Sequence, residues 1–282
     1  MKLKNYIYNS TIKKTDDYSV VLANRKIDSS KVFIKIAMTE AGKKMIDREY
    51  NNQKFLYNLA MKNDCGFKFL PTTLNDGVIE FPDITDMVTW LGELGGNNEP
   101  IQSYLGQYMK LQKIMRDISF KDLPQAIIDD WIFRKGNVQK NIHTNSDYLL
   151  ENKLISKTFV DKAIVLMSEF GDNWAFQHHD LVPWHIGRLI DGELLLIDTG
   201  WAGWSLKYYD FAYTALQVIG YTDRAEDAKI LLSNAKRLYG HEKNYDSILK
   251  VALYYRGLRL AKELHEAKFD SAKRVLEFII SY

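Results

Sequence analysis

Leu194-Leu195-Leu196-Ile197 is an unbroken aliphatic run that stops on a carboxylate, Asp198. A short apolar run bounded by turn residues reads as a strand buried on both faces. The turn before it is Asp191-Gly192, a pair suited to tight hairpin connections. Ile186 to Ile190 and Glu193 to Ile197 are therefore expected to pair as a hairpin. That hairpin would carry Asp198 back toward the segment Asp180 to His185. Two carboxylates and an imidazole would then converge on one pocket. Oxygen donors of this kind favour magnesium or manganese, and a second carboxylate is left to orient a hydroxyl and take its proton.

Upstream, the pattern divides the chain. Tyr18 to Ala23 and Lys31 to Ile36 read as strands, with a weaker one over Tyr6 to Ile12. Glu40 to Met61 has helical spacing, with Ile46, Tyr50, Tyr57 and Met61 placed on one face. Phe67 to Thr73 and Gly77 to Phe81 flank an Asn75-Asp76-Gly77 turn and read as a hairpin, in which Pro71 marks an edge strand. Pro82-Asp83 ends this pattern. Helices are expected over Ile101 to Ile118, Leu123 to Phe133, Lys157 to Phe170, Asp223 to Leu238, Tyr245 to Ala267 and Ser271 to Ile280. Gly136 to Asn152 is polar and reads as a connection or a weak helix. The expected class is α+β: residues 1–84 form a small antiparallel-sheet lobe with one helix, and residues 85–282 form a larger, mainly helical lobe.

Composition narrows the functional classes. The chain has 282 residues and a net charge of +2, from 38 basic and 36 acidic residues. No basic run is interleaved with aromatics, so no nucleic-acid partner is expected. No stretch approaches the ~18 apolar residues a membrane span needs, and Met1 to Ser10 lacks the apolar segment of a signal peptide. The one cysteine, Cys65, can form neither an internal disulfide nor a multi-thiolate zinc site. A cytoplasmic protein, monomeric or homodimeric, is the reading this supports.

The segment Gln177-His178-His179-Asp180-Leu181-Val182-Pro183-Trp184-His185, then Ile197-Asp198, then Tyr209-Asp210-Phe211-Ala212, resembles the signature of aminoglycoside and choline-type phosphotransferases. His178, Asp180, Leu181, Pro183, Ile197, Asp198, Tyr209, Asp210 and Ala212 match it. The resemblance implies a protein-kinase-like fold, a γ-phosphate drawn from ATP or GTP, magnesium, and a small hydroxylated acceptor. It implies Asp180 as the catalytic base, His178 as a brace for the catalytic loop, Asp198 as the metal ligand and Asp210 as support from the following helix. In the first lobe it implies that Lys35 and Glu49 pair to hold the nucleotide phosphates. It also implies that Glu80-Phe81-Pro82-Asp83 forms the hinge that grips adenine.

The chain departs from this pattern in two places. His185 stands where the family carries asparagine, and imidazole suits softer ions than magnesium. Asn9 to Tyr18, where the nucleotide loop falls, contains no glycine, so Ser10, Thr11, Lys13 or Lys14 would contact phosphate through side chains. These departures motivate one alternative, a nucleotide-binding pseudokinase. A second is a metal-dependent phosphohydrolase built on His178, His179, Asp180 and Asp198, which Pro183 opposes because such enzymes carry these residues on helices. Asp129, Asp130, Asp172, Glu263 and Glu266 are acidic candidates for an acceptor site. Trp201, Trp204 and Tyr208 serve either as a substrate platform or as packing.

Overall fold

A computed structural model describes residues 4–75, 77–94, 96–222 and 224–282, without the side chains of 132–137. The elements in chain order are β1 (Tyr6–Lys14), β2 (Tyr18–Arg25), β3 (Lys31–Ala37), α1 (Glu40–Lys62), β4 (Thr73–Asn75), β5 (Val78–Pro82), β6 (Val88–Trp90), α2 (Leu105–Arg116), α3 (Gln125–Glu151), α4 (Lys157–Phe170), β7 (Trp174–Gln177), β8 (Ile186–Leu189), β9 (Leu194–Leu196), β10 (Gly203–Leu206), α5 (Tyr209–Tyr221), α6 (Ala225–Tyr239), α7 (Tyr245–Glu266) and α8 (Ser271–Ser281). They fall into two compact units. The first joins Met1–Thr89 to Gly187–Trp201, and the second joins Trp90–Ile186 to Ala202–Tyr282.

The first unit is built on an antiparallel sheet of order β1-β2-β3-β5-β4. Strand alternation sorts β3: Val32, Ile34 and Ile36 are buried and pack with Val21, Ala23 and Val78. Lys35 lies on the opposite face. Helix α1 starts at Thr39, whose side chain accepts the Gly42 N–H. The Thr39 hydroxyl donates to Asp17 at 2.7 Å, and the Met38 N–H donates to the Asp17 carbonyl at 2.7 Å. A Cβ on Gly42 would lie 1.8 Å from that carbonyl, so only glycine lets the helix start against the β1–β2 turn.

Two expectations are corrected here and one open reading is decided. On α1 the buried positions are Gly42, Ile46, Glu49, Asn52, Gln53 and Leu56, while Met61 is exposed. The helix therefore buries three polar side chains, and an apolar count alone misplaces its inner face. Of the expected strand Phe67 to Thr73 only Thr73 lies in β4, and the pairing with β5 runs from Thr73 to Asn75. Pro71 has no N–H to give a ladder, and Lys68 instead makes an isolated parallel bridge with Leu195. Asp76 of the expected turn lies outside the described residues. In the second unit, Gly136 to Asn152, read as a connection or a weak helix, is helix up to Glu151. It continues the segment from Leu123 into one long helix, α3, whose Val138, Ile142 and Leu149 are buried. Tertiary burial along one face holds a polar segment helical here.

In the second unit, β7 and β10 pair antiparallel. Helix α5 is buried along most of its length, among them Phe211, Ala212, Ala215 and Leu216. Helix α7 is buried at Leu249, Ala252, Leu253, Leu258 and Leu260. Buried on nearly all sides, α5 has no exposed polar face to delimit it, and the family resemblance locates only its start, at Asp210. Among the described residues no helix is long and apolar enough to cross a membrane.

Candidate active site

Two clusters of polar side chains are built, one in each unit. In the first unit, Glu49 reaches from α1 to β3 and its Oε2 accepts from Lys35 Nζ at 2.5 Å. Burial pulls the Lys35 ammonium down, and the charges of Glu49 and Asp198 more than reverse this, so it stays above its ordinary value. Lys35 Nζ also lies 4.9 Å from the centre of the Tyr18 ring, and Lys13 Nζ lies 5.9 Å from the same ring. A cation over an aromatic face gains a further ~1 kcal/mol.

Asp198 follows β9 with a φ of 57°, the left-handed region. Aspartate tolerates this better than most residues, yet it still costs on the order of 1–3 kcal/mol unless its surroundings fix it. Helix α1 supplies the fixing. Asn52 donates to the Thr199 carbonyl at 3.1 Å, and Thr199 donates its hydroxyl to Gln53 at 2.8 Å. Glu49, Asn52 and Gln53 are spaced i, i+3, i+4, so one helix face holds both the lysine and the turn that aims Asp198. Gly200 borders both anions: a Cβ there would lie 3.5 Å from Glu49 Oε2 and 3.7 Å from Asp198 Oδ1. Asn52 and Gln53 were not anticipated, although their burial on the Glu49 face is implied by that spacing.

In the second unit, the loop after β7 carries His178 to His185. Asp210 pins its start: the His178 and His179 N–H groups donate to the two Asp210 oxygens at 2.8 and 2.7 Å. Gln112 donates to the same carboxylate at 2.9 Å, and the Asp210 N–H donates to Gln177 at 3.0 Å. His179 takes a φ of 72°, which turns the loop. The Asp180 N–H donates to His178 Nδ1 at 3.3 Å. Tyr213 donates to Asp180 Oδ1 at 2.6 Å. His185 Nδ1 donates to the Asp180 carbonyl at 3.1 Å, because a carbonyl can only accept. That bond fixes the proton on Nδ1, so in the neutral ring the lone pair is on Nε2.

No family model matches the chain, and no curated protein matches it. Solved structures do. A thermostable mutant of aminoglycoside phosphotransferase APH(4)-Ia, in ternary complex with AMP-PNP and hygromycin B, is similar with a TM-score of 0.58 at 10% identity, covering 99% of this chain and 95% of that one. Choline kinase LicA from Streptococcus pneumoniae is similar with a TM-score of 0.52 at 15% identity, covering 99% and 95%. A Plasmodium vivax ethanolamine kinase is similar with a TM-score of 0.53 at 14% identity, covering 99% and 82%. The chain has the protein-kinase-like fold of these small-molecule kinases. The α+β class and the antiparallel first sheet expected from sequence agree with it.

Within this kinase-like fold the expected hinge residues behave differently from one another. Ile34 pairs with Glu80, so Glu80 lies on the face away from Lys35. Its carboxylate accepts from Tyr6 at 2.8 Å and from Arg25 Nε at 3.0 Å, which commits that side chain to the sheet. Phe81 pairs with Phe33, and Asp83 accepts from the Thr85 N–H and hydroxyl. Tyr208 is buried and donates to Glu242, which makes it packing and not a platform. Trp201 stacks under the Arg48 guanidinium at 4.3 Å, and Trp204 meets Phe120 edge-on. Among the acidic candidates, Asp129 accepts from Gln125, Asp172 from Trp174, and Glu263 pairs with Arg256 and Arg259. Cys65 is buried and donates to the Phe67 carbonyl.

Burial pushes the Asp210 carboxyl up to about 6 from 3.8, although three donors oppose the rise. The folded chain thus binds this proton more tightly than the unfolded chain. The stability it contributes is present below about pH 4 and is lost as pH rises through about 6. Asp210→Asn cannot titrate. The stability of the parent relative to this variant is expected to fall by roughly 3 kcal/mol between ~pH 4 and ~pH 7. Urea unfolding of both proteins across that range checks this, and parallel pH curves would count against it.

Proposed function

We propose that this chain is a phosphotransferase that moves the γ-phosphate of ATP or GTP to a hydroxyl of a small molecule: an aminoglycoside or other antibiotic, choline or another amino alcohol, or a sugar. The observation that carries the reading is the buried Lys35–Glu49 ion pair with the Asp198 charge beside it. Burying two charges costs several kcal/mol each before pairing repays it. A lysine held protonated and fixed in direction is what a nucleotide phosphate needs.

In this reading Lys35 holds the nucleotide phosphates and Glu49 holds Lys35. Phe81 and Asp83 border the adenine end. Asp180 accepts the proton of the acceptor hydroxyl as its oxygen bonds to the γ-phosphorus, and the bond from that phosphorus to the β-phosphate oxygen breaks, releasing the nucleoside diphosphate. Asp198 offers an anionic oxygen of the kind that suits magnesium or manganese, whereas His185 would offer an imidazole nitrogen, which suits softer ions. A bound divalent ion would supply neutralisation of the phosphate charge. His178 keeps the Asp180 loop in place.

His185 also motivates the pseudokinase alternative, in which nucleotide binds without turnover. The phosphohydrolase alternative loses ground, because His178, His179 and Asp180 lie on a loop and Pro183 opens a single 3-10 turn. A panel of hydroxylated metabolites and antibiotics, incubated with ATP or GTP and magnesium, tests the proposal. Phosphorylated product from at least one acceptor, absent with Asp180→Asn, is the expected result. Tight nucleotide binding with no product from any acceptor would favour the pseudokinase.

A further inference from the structure

Helix α5 grips four consecutive residues of the catalytic loop through three side chains on its first turns. Asp210 takes the N–H groups of His178 and His179, Tyr213 bonds the Asp180 carboxylate, and Thr214 donates its hydroxyl to the Leu181 carbonyl. Positions 210, 213 and 214 are i, i+3 and i+4, so they share a face. The first and third anchors hold backbone. The middle one holds the functional group itself.

We propose that Tyr213 is a positioning residue: its phenol fixes Asp180 through Oδ1, so that Oδ2 is the oxygen presented to the acceptor hydroxyl. The inference rests on the phosphotransferase reading above.

The geometry supports it at each step. The Tyr213–Asp180 bond, at 2.6 Å, has the length of a charge-assisted O–H···O⁻ contact. Oδ2 lies 3.4 Å from His185 Nδ1, whose proton is directed to the Asp180 carbonyl at 3.1 Å. Burial, then the Asp180 charge, holds the phenol well above its ordinary value, so Tyr213 stays a donor. The ring stacks on Tyr209 at 5.7 Å and 30°. Beneath it lies the guanidinium of Arg256, 4.9 Å from the ring centre. Arg256 is a buried cation whose Nε has no hydrogen-bond partner among the described residues and whose Nη1 pairs with Glu263 at 3.2 Å. A buried cation so thinly paired is costly. Set against the Tyr213 ring, it polarises the phenol and strengthens the bond that holds Asp180.

The test is Tyr213→Phe, which keeps the ring and removes only the hydroxyl. With the acceptor found by the panel, kcat is expected to fall by about tenfold, while KM for nucleotide and acceptor stays within about twofold. The melting temperature should move little, since the ring packing is kept. Unchanged kcat would overturn the proposal. So would a raised KM with a collapsed melting temperature, which marks a purely structural role. A second measurement separates this from failure of the phosphotransferase reading. In protein labelled with tyrosine 13Cζ, the Tyr213 signal (assigned through its loss in Tyr213→Phe) should move on Asp180→Asn. A moved signal with no turnover in the parent would sink the phosphotransferase reading, and the positioning role with it, while leaving the bond itself standing. An unmoved signal would remove the bond on which the positioning role depends.

Discussion

Asp180→Asn is expected to lower turnover by roughly 10²- to 10⁴-fold, the range a general base contributes, while nucleotide affinity stays within about twofold. The substitution is nearly isosteric. An amide oxygen can still accept from Tyr213 Oη in place of Asp180 Oδ1, so the loop keeps its anchor. The amide nitrogen then occupies the Oδ2 position, where it can donate but cannot take a proton from a hydroxyl. The backbone anchors are untouched: Asp210 still receives the His178 and His179 N–H groups, and His185 Nδ1 still donates to the residue-180 carbonyl. Loss of rate with retained binding is therefore the pattern that separates a missing base from a misfolded loop. Steady-state kinetics on the acceptor identified by the panel, with calorimetry for the nucleotide, measures both. Turnover near the parent's would remove Asp180 from the reaction.

The parts of this fold that could be read from sequence are those with local signals. β2 and β3 alternate, α1 has helical spacing, and Asp191-Gly192 announces its turn; the Gly192 φ of 85° is of the kind glycine supplies. Asp180, Asp198 and Asp210 stood out because they sit in a recognisable pattern of spacing. What escaped notice depends on contacts distant in sequence. Gln112 lies nearly a hundred residues before Asp210, and Arg256 more than forty after Tyr213. Neither has a local pattern that marks it. Asn52 and Gln53 interrupt the apolar stripe of α1, and Glu80 turns to the opposite face from Lys35 because strand register, not residue type, decides where it points. Helix α3 was legible only in its first part for a related reason: the polar composition of Gly136 to Asn152 leaves connection and weak helix both open until Val138, Ile142 and Leu149 are seen to be buried together.

Asp198→Asn is expected to remove metal-dependent nucleotide binding and to cut turnover by at least 10²-fold. Asparagine accepts a left-handed backbone as readily as aspartate, so the φ of 57° at this position survives the change. Asn52 and Gln53 go on bracing Thr199 and Gly200. The loss is therefore one negative charge at a fixed point, with little cost in folding. Alanine is a less clean choice because it adds backbone strain to the lost charge. The charge matters twice. An amide oxygen is a weaker ligand than a carboxylate for a hard divalent ion. Lys35 also loses one of the two anions that keep it protonated in a buried site. Glu49 remains and holds the ammonium by its 2.5 Å contact, so nucleotide affinity without metal should change by only about threefold. Calorimetric titration of nucleotide with and without magnesium, on parent and variant, resolves the two effects. A magnesium response equal to the parent's would show that Asp198 is no metal ligand and would return the strained turn after β9 to a purely structural role.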